Sequence, residues 1–260
     1  MRKILIGCIC VLAVASIANA QTFSHYAGEY GQTGAAPPIP GPNSITQSTD
    51  TSTVTALNSV SCNAGGLHAD NSYLRRFFLN ADHGIANAFS VQSLDWAIEN
   101  ASGANGSQPV DINLYSIPVG APFTFANLTS IGSTSLSVAD TSLAGITSSV
   151  SGVVADPLNQ DLVVEVFTPD GQTAGNSFFI GSNPGGETQP SYIAAAACGI
   201  SEPTATGAIG FPGMQVIMVV NGIEGSGVPT MGGWALILLA VLMAAVATGI
   251  LRRRSLQHNV

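Results

Sequence analysis

Val110-Asp111-Ile112-Asn113-Leu114 alternates apolar and polar residues one for one, and the same period of two recurs along most of the chain. Alternation at that period puts successive side chains on opposite faces of a pleated strand, so one face can be buried while the other meets water. Phe89-Ser90-Val91-Gln92, Leu94-Asp95-Trp96-Ala97-Ile98 and Leu136-Ser137-Val138 repeat the pattern, and Gln215–Val220 and Ser177–Ile180 add further strands. Leu162 to Phe167 is almost wholly apolar or β-branched, as a strand buried on both faces should be. Thr168-Pro169-Asp170-Gly171 is a turn, because Pro fixes φ and Gly allows positive φ. Gly181-Ser182-Asn183-Pro184-Gly185-Gly186 reads as a loop. Ala194–Ala197 is the best local helix former, but Gly199 cuts it short. About eight to ten strands without a long amphipathic helix predict an all-β domain over 57–224. The expected architecture is a single antiparallel, jelly-roll-like β-sandwich.

Both ends of the chain read as addresses. Arg2 and Lys3 precede an apolar run from Ile4 to Ile17, and Ala18-Asn19-Ala20 supplies the small-x-small pattern used by signal peptidase. Residues 1–20 are therefore expected to be a signal peptide cleaved after Ala20. Cys8 and Cys10 lie within the apolar run rather than after it, which argues against a lipid anchor. Residues 21–56 contain Pro37-Pro38-Ile39-Pro40-Gly41-Pro42 and a Ser/Thr-rich run, and predict a loosely ordered N-terminal extension. At the other end, Gly232 to Leu251 has no charged residue, and Arg252, Arg253 and Arg254 follow it at once. At about 1.5 Å per residue this stretch matches the roughly 30 Å core of a bilayer. The basic cluster is expected to stay in the cytoplasm, with Trp234 at the opposite interface. The protein would then be exported through the inner membrane and held there by one C-terminal transmembrane helix.

All fifteen acidic residues lie between Gln21 and Gly227, against only Arg75 and Arg76, a net charge of −13 for that segment. Such a surface repels phosphates and anionic lipids, which excludes nucleic acid as a partner. Cys62 and Cys198 are the two cysteines left after the leader, an even number in an oxidising compartment. A disulfide between them is expected to tie the first strand to the last. Two buried thiols or a shared metal are the alternatives, and neither a CxxC nor a nearby His supports the metal.

The residues that could carry chemistry are few. No GxSxG is present, and His25, His68 and His83 are the only histidines of the exported part, so a serine-hydrolase triad has little support. Asp95 and Glu99 flank Trp96 and could form a glycosidase acid pair. The favoured reading places Trp96 in the core and both acids at its rim. Asp70, Asn71 and Asp82 offer oxygen ligands near a strand and are candidates for a structural calcium ion, with no other cofactor expected. Arg75 and Arg76 could clamp an anionic sugar, but one of them is expected instead to pair with a nearby acid such as Asp70 or Asp82. Tyr73, Tyr115 and Tyr192 are candidates for stacking on a glycan.

Val228-Pro229-Thr230-Met231, the spacer Gly232-Gly233, Trp234-Ala235, the apolar stretch and the three arginines resemble the IPTL-CTERM sorting signal, a relative of PEP-CTERM tails. Val228, Met231 and Ala235 depart conservatively from the Ile-Pro-Thr-Leu and Trp-Gly positions. The resemblance covers residues 225–260, with its motif at 228–235. It implies export in a Gram-negative bacterium and processing by an exosortase-family peptidase, in a setting often rich in exopolysaccharide. Asp70–Phe77, Phe167–Gly171 and Asn176–Gly181 more loosely resemble jelly-roll accessory modules of secreted bacterial proteins. Together these readings predict a non-catalytic surface or extracellular-matrix protein, destined for the cell surface, whose partners are signal peptidase, an exosortase, the inner membrane and extracellular polysaccharide. A carbohydrate-binding module is the alternative, and a small secreted hydrolase comes third.

Overall fold

The computed structural model describes residues 20–30, 40–41, 43–225 and 243. Residues 1–19 of the expected leader, with Ala18, therefore lie outside the described residues. So do the motif residues Val228, Pro229, Thr230, Met231 and Trp234, the apolar stretch apart from Met243, and Arg252, Arg253 and Arg254. Among the described residues no helix is long and apolar enough to cross a membrane.

The chain begins with β1 (Thr22–Ser24), β2 (Ser44–Thr46), β3 (Ser61–Ala64), β4 (Leu67–His68) and β5 (Asn71–Phe77). A single helical turn, α1 (Leu79–His83), precedes β6 (Phe89–Ser102) and β7 (Ser107–Pro118), consecutive strands that belong to different sheets. Next come β8 (Thr129–Ala139), β9 (Thr141–Val154), β10 (Gln160–Thr168) and β11 (Ser177–Ile180). The last strands are β12 (Ser182–Asn183), β13 (Tyr192–Ala195), β14 (Ile200–Ala205), β15 (Gln215–Val216) and β16 (Met218–Glu224).

Two antiparallel sheets carry the fold. The first has the order β14-β13-β5-β10-β7-β8. In the second, β9 pairs with β6 from Phe89 to Ala101, and β16 and β11 share the other edge of β6 end to end. β2 then extends that sheet beyond β16. Leu162, Val164, Val166 and Ile112 from the first sheet meet Leu94, Trp96, Ile98 and Val220 from the second in one buried core. The alternation read from the sequence thus becomes a sandwich, with β10 at its centre and buried on both faces as expected. At one side the sheets touch: a Cβ on Gly132 would lie 2.0 Å from the Ser151 carbonyl oxygen, so only glycine lets β8 pass β9 that closely.

Four local expectations are corrected. Parts of the N-terminal extension are strands: β1 pairs with β3, and β2 pairs with β16. Ile45 is buried in the common core, which fixes a segment too short to show a period in sequence. Ala194 and Ala195 are extended, and only Ala196–Cys198 forms a 3-10 turn. Pairing of β13 with β5 overrides the modest helix preference of alanine. Ser182 and Asn183, read as loop, pair with Val216 and Gln215. The Cys62–Cys198 disulfide is present with Cα atoms 5.9 Å apart, but it joins β3 to the turn before β14 rather than the first strand to the last.

Candidate functional site

The acids beside Trp96 do not sit at the rim of the core. Trp96 is buried as expected, and its Nε1–H donates to Ser148 Oγ at 3.0 Å. Glu99 has no exposed surface at all. Its Oε1 accepts from the Tyr30 hydroxyl at 2.6 Å and the Leu57 N–H at 3.0 Å. Its Oε2 accepts from the N–H groups of Asn58 at 3.1 Å and Ser59 at 2.8 Å. Burial and the Glu99 carboxylate together push the Tyr30 hydroxyl well above its ordinary range. Asp95 is also buried, and its Oδ2 accepts from Asn221 Nδ2 at 2.7 Å. Glu99 therefore clamps the loop ahead of β3 to β6 instead of facing a second acid across a groove.

Both arginines are interior as well, and neither pairs with Asp70 or Asp82. Arg75 points into the sandwich and pairs with Glu187 at 3.0 Å, while its Nε–H donates to the Val216 carbonyl at 3.0 Å and Nη1 to the Gln189 carbonyl at 2.9 Å. Burial pulls its guanidinium down to about 10. Arg76 lies on the opposite face of β5 and pairs with Asp161 at 2.7 Å, with Nη1 donating to the Ala121 carbonyl at 2.8 Å. Neighbours in sequence thus emerge on opposite sides of the sheet, each tied to an acid from a distant loop or strand. Among the described residues no free arginine or lysine is left to clamp an anionic sugar.

The calcium candidates are not gathered together. Asn71 is buried, with Oδ1 accepting the Cys62 N–H at 2.8 Å and Nδ2 donating to the Ala69 carbonyl at 2.9 Å. Asp70 and Asp82 lie beyond opposite ends of β5, which at about 3.3 Å per residue separates them by roughly 20 Å. Asp82 accepts from Gln189 Nε2 at 2.8 Å. Among the described residues, no group of three or more His, Cys, Asp or Glu side chains could hold a metal ion.

Tyr73 is fully buried and cannot stack on a sugar. Tyr115 and Tyr192 are half-buried on the outer face of the six-stranded sheet, but β10 and β5 lie between their strands, about 14 Å in all. Tyr115 donates to Glu165 Oε2 at 2.8 Å, the same oxygen that accepts from Asn113 Nδ2 at 2.9 Å. Tyr192 packs edge-on against Phe123 with ring centroids 4.7 Å apart. Of the histidines, His25 packs on Phe211 and lies 2.9 Å from the Ser59 carbonyl. His68 is buried between the Ala69 carbonyl and Gln108, and burial lowers both His68 and His83.

A cleft of about 380 Å³ lies instead at the far end of β6, lined by residues that sequence reading passed over. Its floor comes from β6 and β9, including Asn100 and Ser142, and its walls are Tyr26, Glu29 and Asp140. A bulge makes this floor. Phe179 pairs with Asn100 and Ile180 with Ile98, so the regular alternation breaks after Ile98. Ile98 and Ala101 both enter the core, while Asn100 turns outward beside Phe179. Tyr26 stacks edge-on against Phe179 at 5.5 Å, and its hydroxyl donates to the Glu29 carbonyl at 3.0 Å. Asp140 is held by the Gly103 N–H, which donates to Oδ1 at 2.8 Å. Asn100 is only 3% exposed, and its Nδ2 has no hydrogen-bond partner among the described residues. Nothing in the local sequence marks Asn100, because a bulge is set by the partner strand.

Residues 227–254 match the family model described as the IPTL-CTERM motif. That span takes in each tail residue named above, from Val228 to Arg254. No curated protein matches the chain. The chain superposes in part, at a TM-score of 0.36 and 12% identity, on "the cysteine protease and lectin-like domains of Cwp84, a surface layer associated protein of Clostridium difficile". The superposition covers 65% of this chain and 38% of that one, so this chain spans well under half of its length.

Proposed function

We propose that the protein is an exported, non-catalytic component of the cell surface or extracellular matrix. In this reading the C-terminal segment holds it in the inner membrane, with its C-terminus in the cytoplasm, until an exosortase-type peptidase processes the tail. The IPTL-CTERM match at residues 227–254 is the observation that carries the reading. The Cys62–Cys198 disulfide supports an oxidising destination. Support for a non-catalytic role comes from how the acids and bases are used. Glu99 caps backbone N–H groups, Glu187 and Asp161 neutralise buried arginines, and His68 is sealed inside.

Intact mass spectrometry of the protein from its native host tests the proposal. The expected product begins at Gln21 and has lost the tail near Val228–Gly233. Recovery only of chains that still end at Val260 would refute processing and leave a plain anchor.

A further inference from the structure

We infer that the cleft between the N-terminal segment and the end of β6 is a subsite for a neutral, polyhydroxylated ligand, one or two uncharged sugar units of a polysaccharide. The inference rests on the surface reading for its setting, but on the cleft alone for its chemistry. Three observations carry it, and they come from separate parts of the chain.

The first is the Asn100 amide. A buried N–H donor is almost always paired, and Asn100 Nδ2 has no partner among the described residues. Asn100 lines the floor of the cleft, so a small turn of its amide toward a ligand oxygen placed there would complete it. The second is the pair of carboxylates. Glu29 and Asp140 flank the same space, and among the described residues no basic side chain lines it. Each can accept a hydrogen bond from the ligand, and a uronate or phosphate would meet repulsion instead. The third is Tyr26, braced on Phe179, whose half-buried ring gives an apolar wall beside these polar groups.

Taken together these groups choose among ligands. A metal ion or an ammonium would suit the carboxylates but has no acceptor to offer Asn100 Nδ2. An anion would suit Asn100 but not the acids. A hydroxyl both accepts and donates, so adjacent sugar hydroxyls can take the amide hydrogen and pass their own to Asp140 or Glu29. An aromatic wall beside a few placed polar groups is the usual make-up of small-molecule sites, and the volume lies within their range of about 300–1,000 Å³. Tyr26 belongs to the segment that follows the expected leader, so the site is complete only when that segment lies across the sheet.

The test is glycan-array binding followed by titration calorimetry on the full chain in detergent. The probes are neutral hexose oligosaccharides, with uronate-containing and amino-sugar oligosaccharides alongside. Saturable binding of a neutral glycan is expected, weakened about tenfold or more by Tyr26→Ala and by Asn100→Asp, which turns the amide donor into an acceptor. Tyr26→Ala alters only a surface wall, so it keeps the test valid if Asn100→Asp fails to fold. An unchanged melting midpoint identifies a folded variant. Absence of saturable neutral-glycan binding overturns the subsite, as does binding indifferent to both substitutions. Preference for uronates or amines overturns the ligand class. Each of these failures leaves the mass of the processed tail unaffected, and so is distinguishable from failure of the sorting proposal.

Discussion

Glu99→Gln keeps the shape of the side chain and removes its charge, and the hydrogen-bond geometry around it sets the cost. The carboxylate accepts from four donors, three of them consecutive backbone N–H groups between Leu57 and Ser59. A glutamine has one acceptor oxygen and one NH₂ group, so either flip sets the NH₂ against N–H donors. The cheaper flip keeps the oxygen at Oε2 for Asn58 and Ser59 and puts the NH₂ at Oε1, where the Tyr30 hydroxyl oxygen can accept from it while also accepting from the Leu57 N–H at 2.7 Å. The NH₂ still faces the Leu57 N–H and the charge-assisted bonds are lost, a cost of about 1–3 kcal/mol. In a fold of this size 1 kcal/mol moves the melting midpoint by about 2–4 °C, so a fall of roughly 2–12 °C is expected. Urea unfolding with the disulfide intact provides the measurement, because an unchanged m value ensures that the shift reports stability. Asp95→Asn is the matched control: its oxygen can still accept from Asn221, and a loss below about 1 kcal/mol is expected. A Glu99→Gln loss no larger than that control would refute the clamp and return Glu99 to the pool of candidate catalytic acids.

Other consequences are as direct. The disulfide spans a sequence separation of 136, for which loop-closure entropy gives about 5 kcal/mol. The double variant Cys62→Ser/Cys198→Ser should therefore melt at a markedly lower temperature under non-reducing conditions, and an unchanged midpoint would contradict this. Leu57 is solvent-exposed yet has φ +58°, a conformation that costs a non-glycine residue about 1–2 kcal/mol. Glycine there adds about 0.5–1 kcal/mol of unfolded-state entropy, so Leu57→Gly should stabilise by up to about 1 kcal/mol in urea titration. Burial holds His68 and His83 below their ordinary value of 6.5. Their neutral forms belong to the folded state, so their contribution is complete above pH 6.5 and is lost as the pH falls from there through the folded values. Melting midpoints should decline on acidification through this window, before the lowered carboxyls of Asp50 and Glu224 begin to protonate, and His83→Gln should flatten the decline.

Much of the strand inventory was legible because a half-buried strand writes its orientation into alternate residues. Val110–Leu114 and Leu162–Phe167 occupy the positions in β7 and β10 that their patterns required. β2 and β12 were missed because two or three residues cannot display a period, and their pairing depends on edges supplied by β16 and β15. Charged side chains were the least predictable. Arg75 and Arg76 had acids nearby in sequence, yet their partners are Glu187 and Asp161. Strand alternation sends the two arginines to opposite faces, and each face meets different loops.

By itself the sequence determined the class of fold, the acidity of residues 21–227 and the sorting motif at 227–254, since these come from local period, composition and short motifs. Tertiary structure alone decided that Glu99 is a clamp rather than a rim acid, that Asn71 braces Cys62, and that Tyr73 is core. It also brought Tyr26, Asn100 and Asp140 to one cleft. The physical reason is common to all of these. A hydrogen bond or cleft joins residues tens of positions apart, through a sheet register and a bulge that neither partner's own sequence encodes.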